Sequence, residues 1–136
     1  MLISDKINEM IDMETDILDE CKLYHAYYAE LCTAIENGIS ANLLLSPQVK
    51  EEIDEDIVKL NDYCDKITTC INNAIVSDEI AYNCLKQGMM ENYQNLEQSV
   101  LASVAEVNLL CGDIRQLLGK MHPNLQIAID KIRELS

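Results

Sequence analysis

Any chemistry in this chain has to come from six cysteines, two histidines and a large excess of acids. The cysteines are Cys21, Cys32, Cys64, Cys70, Cys84 and Cys111; the histidines are His25 and His122. No two cysteines form a C-x-x-C pair, and structural zinc is built from close ligand pairs, so no metal is expected. An even count would allow disulfides, but all six cysteines fall near apolar stripes, where a free thiol packs as a small hydrophobe. The start, Met-Leu-Ile-Ser-Asp-Lys, lacks a basic segment followed by an apolar one. The expectation is therefore a cytoplasmic chain with reduced core thiols. H-E-x-x-H, the P-loop, G-x-G-x-x-G and G-x-S-x-G are all missing. Glu-x-x-His is missing too, which disfavours a di-iron bundle. These readings point to no enzyme and no cofactor.

The acids define the surface. The chain carries 24 Asp and Glu against 10 Lys and Arg, a formal charge of −14. Residues 9–20 hold Glu9, Asp12, Glu14, Asp16, Asp19 and Glu20 without a base, and residues 51–56 hold five more acids. A protein that grips phosphates needs a basic footprint, so nucleic acid is not an expected partner. Anionic membrane surfaces repel such a chain, and no apolar run approaches the roughly 18 residues of a span. Acid-rich helix faces are first of all solvated. Sixteen of the acids but only five of the bases lie in residues 1–68, and this one-sidedness suits an electronegative surface that attracts a partner protein through a helical or basic segment.

The candidate contact residues cluster. Tyr24-His25-Ala26-Tyr27-Tyr28 holds half of the six tyrosines in a chain with no Phe and no Trp. Tyr24 and Tyr28 fall on the apolar seam of their helix, with His25 and Tyr27 at its flanks. Asp19 and Glu20 lie one turn earlier. An apolar centre with charged flanks is how interfaces are built, and tyrosine is frequent at their hot spots. The candidate partner-binding site is therefore Asp19, Glu20, Tyr24, His25, Tyr27 and Tyr28, with Tyr27 as its accessible anchor.

Helices have to position these residues, because four Gly and two Pro leave too few turns for a sandwich or barrel. A first helix is expected over about 5–37, capped by Ser4 and stopped by Asn37-Gly38. The connector 38–46 is apolar enough to fold over the bundle end as a plug or to hide a helical turn. Ser46-Pro47 reads as N-cap and first helical residue of a second helix. Its seam, Ile53, Ile57, Leu60, Cys64, Ile67, Ile71 and Ala74, alternates steps of four and three. Val76-Ser77-Asp78-Glu79 reads as a break before a short helix at 78–87. A third long helix carries the same repeat from Met89 to Met121, His122-Pro123 ends or kinks it, and a short helix follows at 124–135. The expected fold is all-α: one domain over 1–136, an up-down-up bundle of three long antiparallel helices with two short extra helices, or a four-helix bundle if the short pieces stack lengthwise. It is expected as one copy or as a homodimer.

Two resemblances bear on function. Arg115, six residues and His122 at a helix end resemble the R-x4-6-H motif of the HEPN ribonucleases, themselves small helical bundles. That resemblance implies RNA cleavage with Arg115 and His122 at its centre, although Gln116 stands where that family usually has Asn or Asp. In size, acidity and helix layout the whole chain is similar to the small export chaperones of flagellar and type III secretion systems, which bind helical segments of their substrates. The leading expectation is a non-enzymatic, protein-binding helical bundle: a chaperone, adaptor or assembly subunit. The alternatives are an acidic inhibitor that mimics nucleic acid and a HEPN-like ribonuclease.

Overall fold

The computed structural model describes residues 3–136, and helices carry nearly all of them: α1 (Ile3–Glu36), α2 (Ala41–Leu44), α3 (Pro47–Lys86) and α4 (Met90–Glu134). No strand occurs among the described residues. At 1.5 Å per residue the three long helices span about 51, 60 and 68 Å.

The ends of these helices follow from local chemistry. Gly38 (φ +102°) and Gly88 (φ +71°) adopt the left-handed conformation that a side chain resists. After α1, Ile39 N–H donates to Ala34 O and Gly38 N–H to Ile35 O. After α3, Met89 N–H donates to Cys84 O and Gly88 N–H to Leu85 O. This paired pattern satisfies carbonyls that a helix end leaves open. Ser46 caps α3, its Oγ accepting from Val49 N–H at 3.3 Å, with Pro47 in the first turn. The apolar connector forms a plug: Leu44 and Leu45 are buried, and Lys131 Nζ donates to Leu44 O at 3.3 Å.

Side-chain pairs give the topology. Between α1 and α4, residue numbers rise together: Glu20 meets Arg115, Tyr24 meets His122 and Glu30 meets Arg133. These two helices run parallel. Between α1 and α3 they run in opposite senses, Glu14 with Thr68, His25 with Asn61 and Tyr28 with Asp54. The bundle is thus up-down-up, with α4 packed against both neighbours and a slighter contact between α1 and α3.

Most of the seams read from spacing form the core, but Cys64 on α3 and Tyr93, Leu96 and Ser103 on α4 are only half-buried and Met89 is exposed, because α4 begins at the open end of the bundle. Ile53, Ile57, Leu60, Ile67, Ile71 and Ala74 are buried on α3, as are Val100, Val107, Leu110, Ile114, Leu117 and Met121 on α4.

Three boundaries differ from the sequence reading. Ser4 lies inside α1 rather than capping it. Residues 78–87 and 124–135 are not separate short helices but continuations of α3 and α4. The apolar register explains both continuations. Ala81 lies one heptad beyond Ala74, and Ile114, Leu118, Met121, Leu125, Ala128 and Ile132 step by four and three straight through Pro123; all are buried. Burial of an in-phase stripe outweighs the local preference of Ser77-Asp78 for a cap and the hydrogen bond that Pro123 cannot make.

One acid of the 51–56 run is not a solvated residue at all. Asp56 is only 3% exposed, facing α4, and accepts from Lys120 Nζ at 3.2 Å.

Candidate functional site

The parallel contact of α1 with α4 leaves a groove of about 560 Å³ between them, lined by Asp19, Glu20, Leu23 and Tyr24 from α1 and by Arg115, Leu118 and Gly119 from α4. Its floor is apolar, with Leu118 buried and Leu23 half-exposed. Its walls are tied across the two helices. Arg115 Nε donates to Glu20 Oε2 at 3.0 Å. Two turns further on, the Tyr24 hydroxyl lies 3.2 Å from His122 Nδ1, and the two rings meet edge to face at 5.8 Å and 71°.

Gly119 opens this groove. A Cβ there would meet nothing within 4 Å. It is also the residue four before Pro123, which has no N–H to return to the Gly119 carbonyl. The groove therefore combines a missing side chain with a carbonyl that lacks its helical donor.

The six residues expected to share one surface divide between two sides of α1. Asp19, Glu20 and Tyr24 line the α4 groove. Tyr27 is half-buried against the core; one turn past Leu23, it continues the same edge of α1. His25 and Tyr28 face α3 instead. His25 Nε2 and Asn61 Oδ1 are hydrogen-bonded at 3.0 Å, and the Tyr28 hydroxyl donates to Asp54 Oδ1 at 2.6 Å. Asp54 also accepts from Lys50 Nζ, at 2.7 and 2.8 Å. Burial works against the Asp54 carboxylate, but the Lys50 ammonium and the Tyr28 hydroxyl together hold it below the usual carboxylate range. Burial, and then the bond to Asp54, push the Tyr28 phenol up.

Leu23, Leu118 and Gly119 were not among the sequence candidates. The signal for Gly119 is its spacing to Pro123, visible only when α4 is taken as one helix.

Of the thiols, Cys21, Cys84 and Cys111 are buried and Cys32, Cys64 and Cys70 are half-buried. Cys21, Cys64 and Cys111, one from each long helix, are close enough to influence one another. The hydrogen bond between Cys21 and Cys64 raises the Cys21 thiol, with burial adding to it, and lowers Cys64. Burial raises Cys111, while Arg115 pulls it back. All six cysteines are free thiols. No group of three or more His, Cys, Asp or Glu is arranged to hold a metal among the described residues. No helix among them is long and apolar enough to cross a membrane. Arg115 and His122 stand on one side of α4, each engaged by α1 rather than by the other.

No known protein family matches the chain, and no curated protein or solved structure is significantly similar to it.

Proposed function

We propose that this bundle is a non-enzymatic binding protein, an adaptor, chaperone or assembly subunit, that takes a basic amphipathic helix of another protein into the α1–α4 groove. The observation that carries this reading is the groove itself: an apolar floor left open at Gly119, with Asp19 and Glu20 at its rim. An amphipathic helix lays its apolar side into such a groove and is recognised through anchors spaced along one face. The acid-rich stretch 9–20 runs up to the rim, so basic residues flanking those anchors would be steered to it.

The test uses a labelled helical Leu/Lys peptide and fluorescence anisotropy. Gly119→Phe leaves the charge unchanged and puts a ring into the groove at a position where an added Cβ meets nothing within 4 Å. It should weaken binding about tenfold, about 1.4 kcal/mol. Tyr27→Ala should cost about 1 kcal/mol with the fold intact. Equal binding by wild type and Gly119→Phe means that only the acidic surface is being measured, and a collapse of affinity with modest salt would favour the nucleic-acid-mimic alternative. Cleavage of RNA by wild type but not by His122→Ala would replace this reading with the ribonuclease one.

A further inference from the structure

We propose that Cys21 and Cys64 form a modification site, a reversible disulfide made by hydrogen peroxide that clamps α1 to α3. The register of the helices carries the argument. Between α1 and α3, Glu14 meets Thr68 and His25 meets Asn61. Cys21 lies between the first members of those pairs and Cys64 between the second. Antiparallel packing therefore sets the two cysteines opposite one another, and their thiols share a hydrogen bond. Both are on apolar stripes. Cys21 follows buried Ile17 by one turn, and Cys64 falls between buried Leu60 and Ile67.

A third thiol lies in the same layer. Asp56 meets Lys120 between α3 and α4, and eight residues on from the one and nine back from the other stand Cys64 and Cys111. Cys111 is also one turn before Arg115, which holds Glu20 beside Cys21. The other three cysteines have no such company. Cys32 stands beside Tyr28, Cys70 faces Glu106, and Cys84 lines a hollow without a second thiol.

The three thiols differ in what they can do. Cys21 and Cys111 are 1% and 2% exposed, whereas Cys64 is half-buried and reachable by a small solute. The hydrogen bond from Cys21 favours the thiolate of Cys64 and keeps the proton on Cys21. Cys64 is thus the attacking sulfur and Cys21 the resolving one. Glu14 and Asp65 stand near Cys64; their charge turns away anionic oxidants and admits a small neutral one. The Cys64 thiolate attacks one oxygen of hydrogen peroxide, the O–O bond breaks and hydroxide leaves, giving a sulfenic acid. The Cys21 sulfur then attacks Cys64 Sγ as it gives up its proton. The S–O bond breaks, and the departing hydroxide takes that proton to become water. The first hydroxide takes the proton that Cys64 had released, so two thiols are oxidised to one disulfide and the peroxide is reduced to two waters. The sulfurs must close to about 2.05 Å, and the slighter contact between α1 and α3 lets these helices approach. The bond closes the long loop through α2 and so restricts the unfolded chain.

The test treats the full chain with a few-fold excess of hydrogen peroxide in native buffer, alkylates it with iodoacetamide in urea and maps the peptides by mass. Two of the six thiols should escape alkylation, with the peptides bearing Cys21 and Cys64 joined, and dithiothreitol should restore all six. The oxidised chain should unfold at a higher urea midpoint than the reduced one. Cys111→Ala should keep the bond, and Cys21→Ala should leave Cys64 as a sulfenic acid that dimedone traps; circular dichroism confirms that each variant is folded. Six alkylated thiols in peroxide-treated wild type overturn the inference. So does a bond to Cys111, a set of pairings as scattered as in the urea-unfolded chain, or an oxidised chain with no gain in midpoint. These four outcomes are read on wild type, so a variant that fails to fold leaves the test intact. Failure of the groove experiment has no bearing on any of them.

Discussion

Tyr28, Asp54 and Lys50 form a short-range polar cluster that joins α1 to α3, the pair of long helices with the slighter contact. Removing the hydroxyl with Tyr28→Phe leaves Asp54 with one partner fewer; stability measured by urea unfolding should fall by about 1 kcal/mol. The pH dependence follows from the depressed carboxyl. In the folded chain Asp54 titrates below its unfolded value of about 3.9, so the unfolded state binds the proton more readily. Its contribution is complete above that unfolded value and is lost as pH falls through the folded one. Asp54→Asn should therefore lower stability at neutral pH and flatten the acid limb of the stability curve below about pH 4. An acid limb with the wild-type slope would mean that other carboxylates carry it. The pairs Glu20–Arg115 and Lys6–Glu9 are exposed and contribute little by comparison.

At the scale of the element, α4 is the spine of the bundle and runs unbroken through Pro123. A proline inside a helix costs up to about 3 kcal/mol relative to alanine. Here the buried stripe on either side, from Ile114 to Ile132, holds the helix together across it. Pro123→Ala should return a donor to the Gly119 carbonyl and raise stability by about 2 kcal/mol, read as a higher urea midpoint with an unchanged slope. A lower midpoint would show that the helix has adapted its packing to the ring. The same residue bears on the groove, because the carbonyl it leaves free belongs to the glycine that opens the floor.

For the whole molecule, the dominant quantity is the net charge of −14 on a bundle of parallel and antiparallel rods. Self-repulsion of that kind opposes the compact state. Raising salt from about 0.01 to 0.15 M shortens the screening length from about 30 to about 8 Å, and the thermal midpoint should rise by a few degrees. A falling midpoint would mean that attractive pairs outweigh the repulsion. The charge is not spread evenly. It is heaviest on α1 and the first turns of α3, while the hairpin end carries Asp78, Glu79 and Glu91 beside Lys86.

Much of this architecture is already in the order of the residues. The four-three spacing from Ile53 to Ala74 and from Val100 to Met121 calls for helical seams, Asn37-Gly38 stops α1, and Ser46-Pro47 starts α3, because periodicity and backbone freedom act within a few residues. What lay beyond local signals was decided by packing. Whether Ser77-Asp78 and Pro123 break their helices depends on the apolar area buried on both sides of them, which no short window contains. The division of the tyrosine cluster, with Tyr24 turned to His122 and Tyr28 to Asp54, required knowing which helix lies on each flank of α1. The burial of Asp56 beside Lys120, 64 positions away, and the opening of a groove over Gly119 arise only when α4 docks. These are contacts between distant residues, and their energy exists only in the assembled bundle.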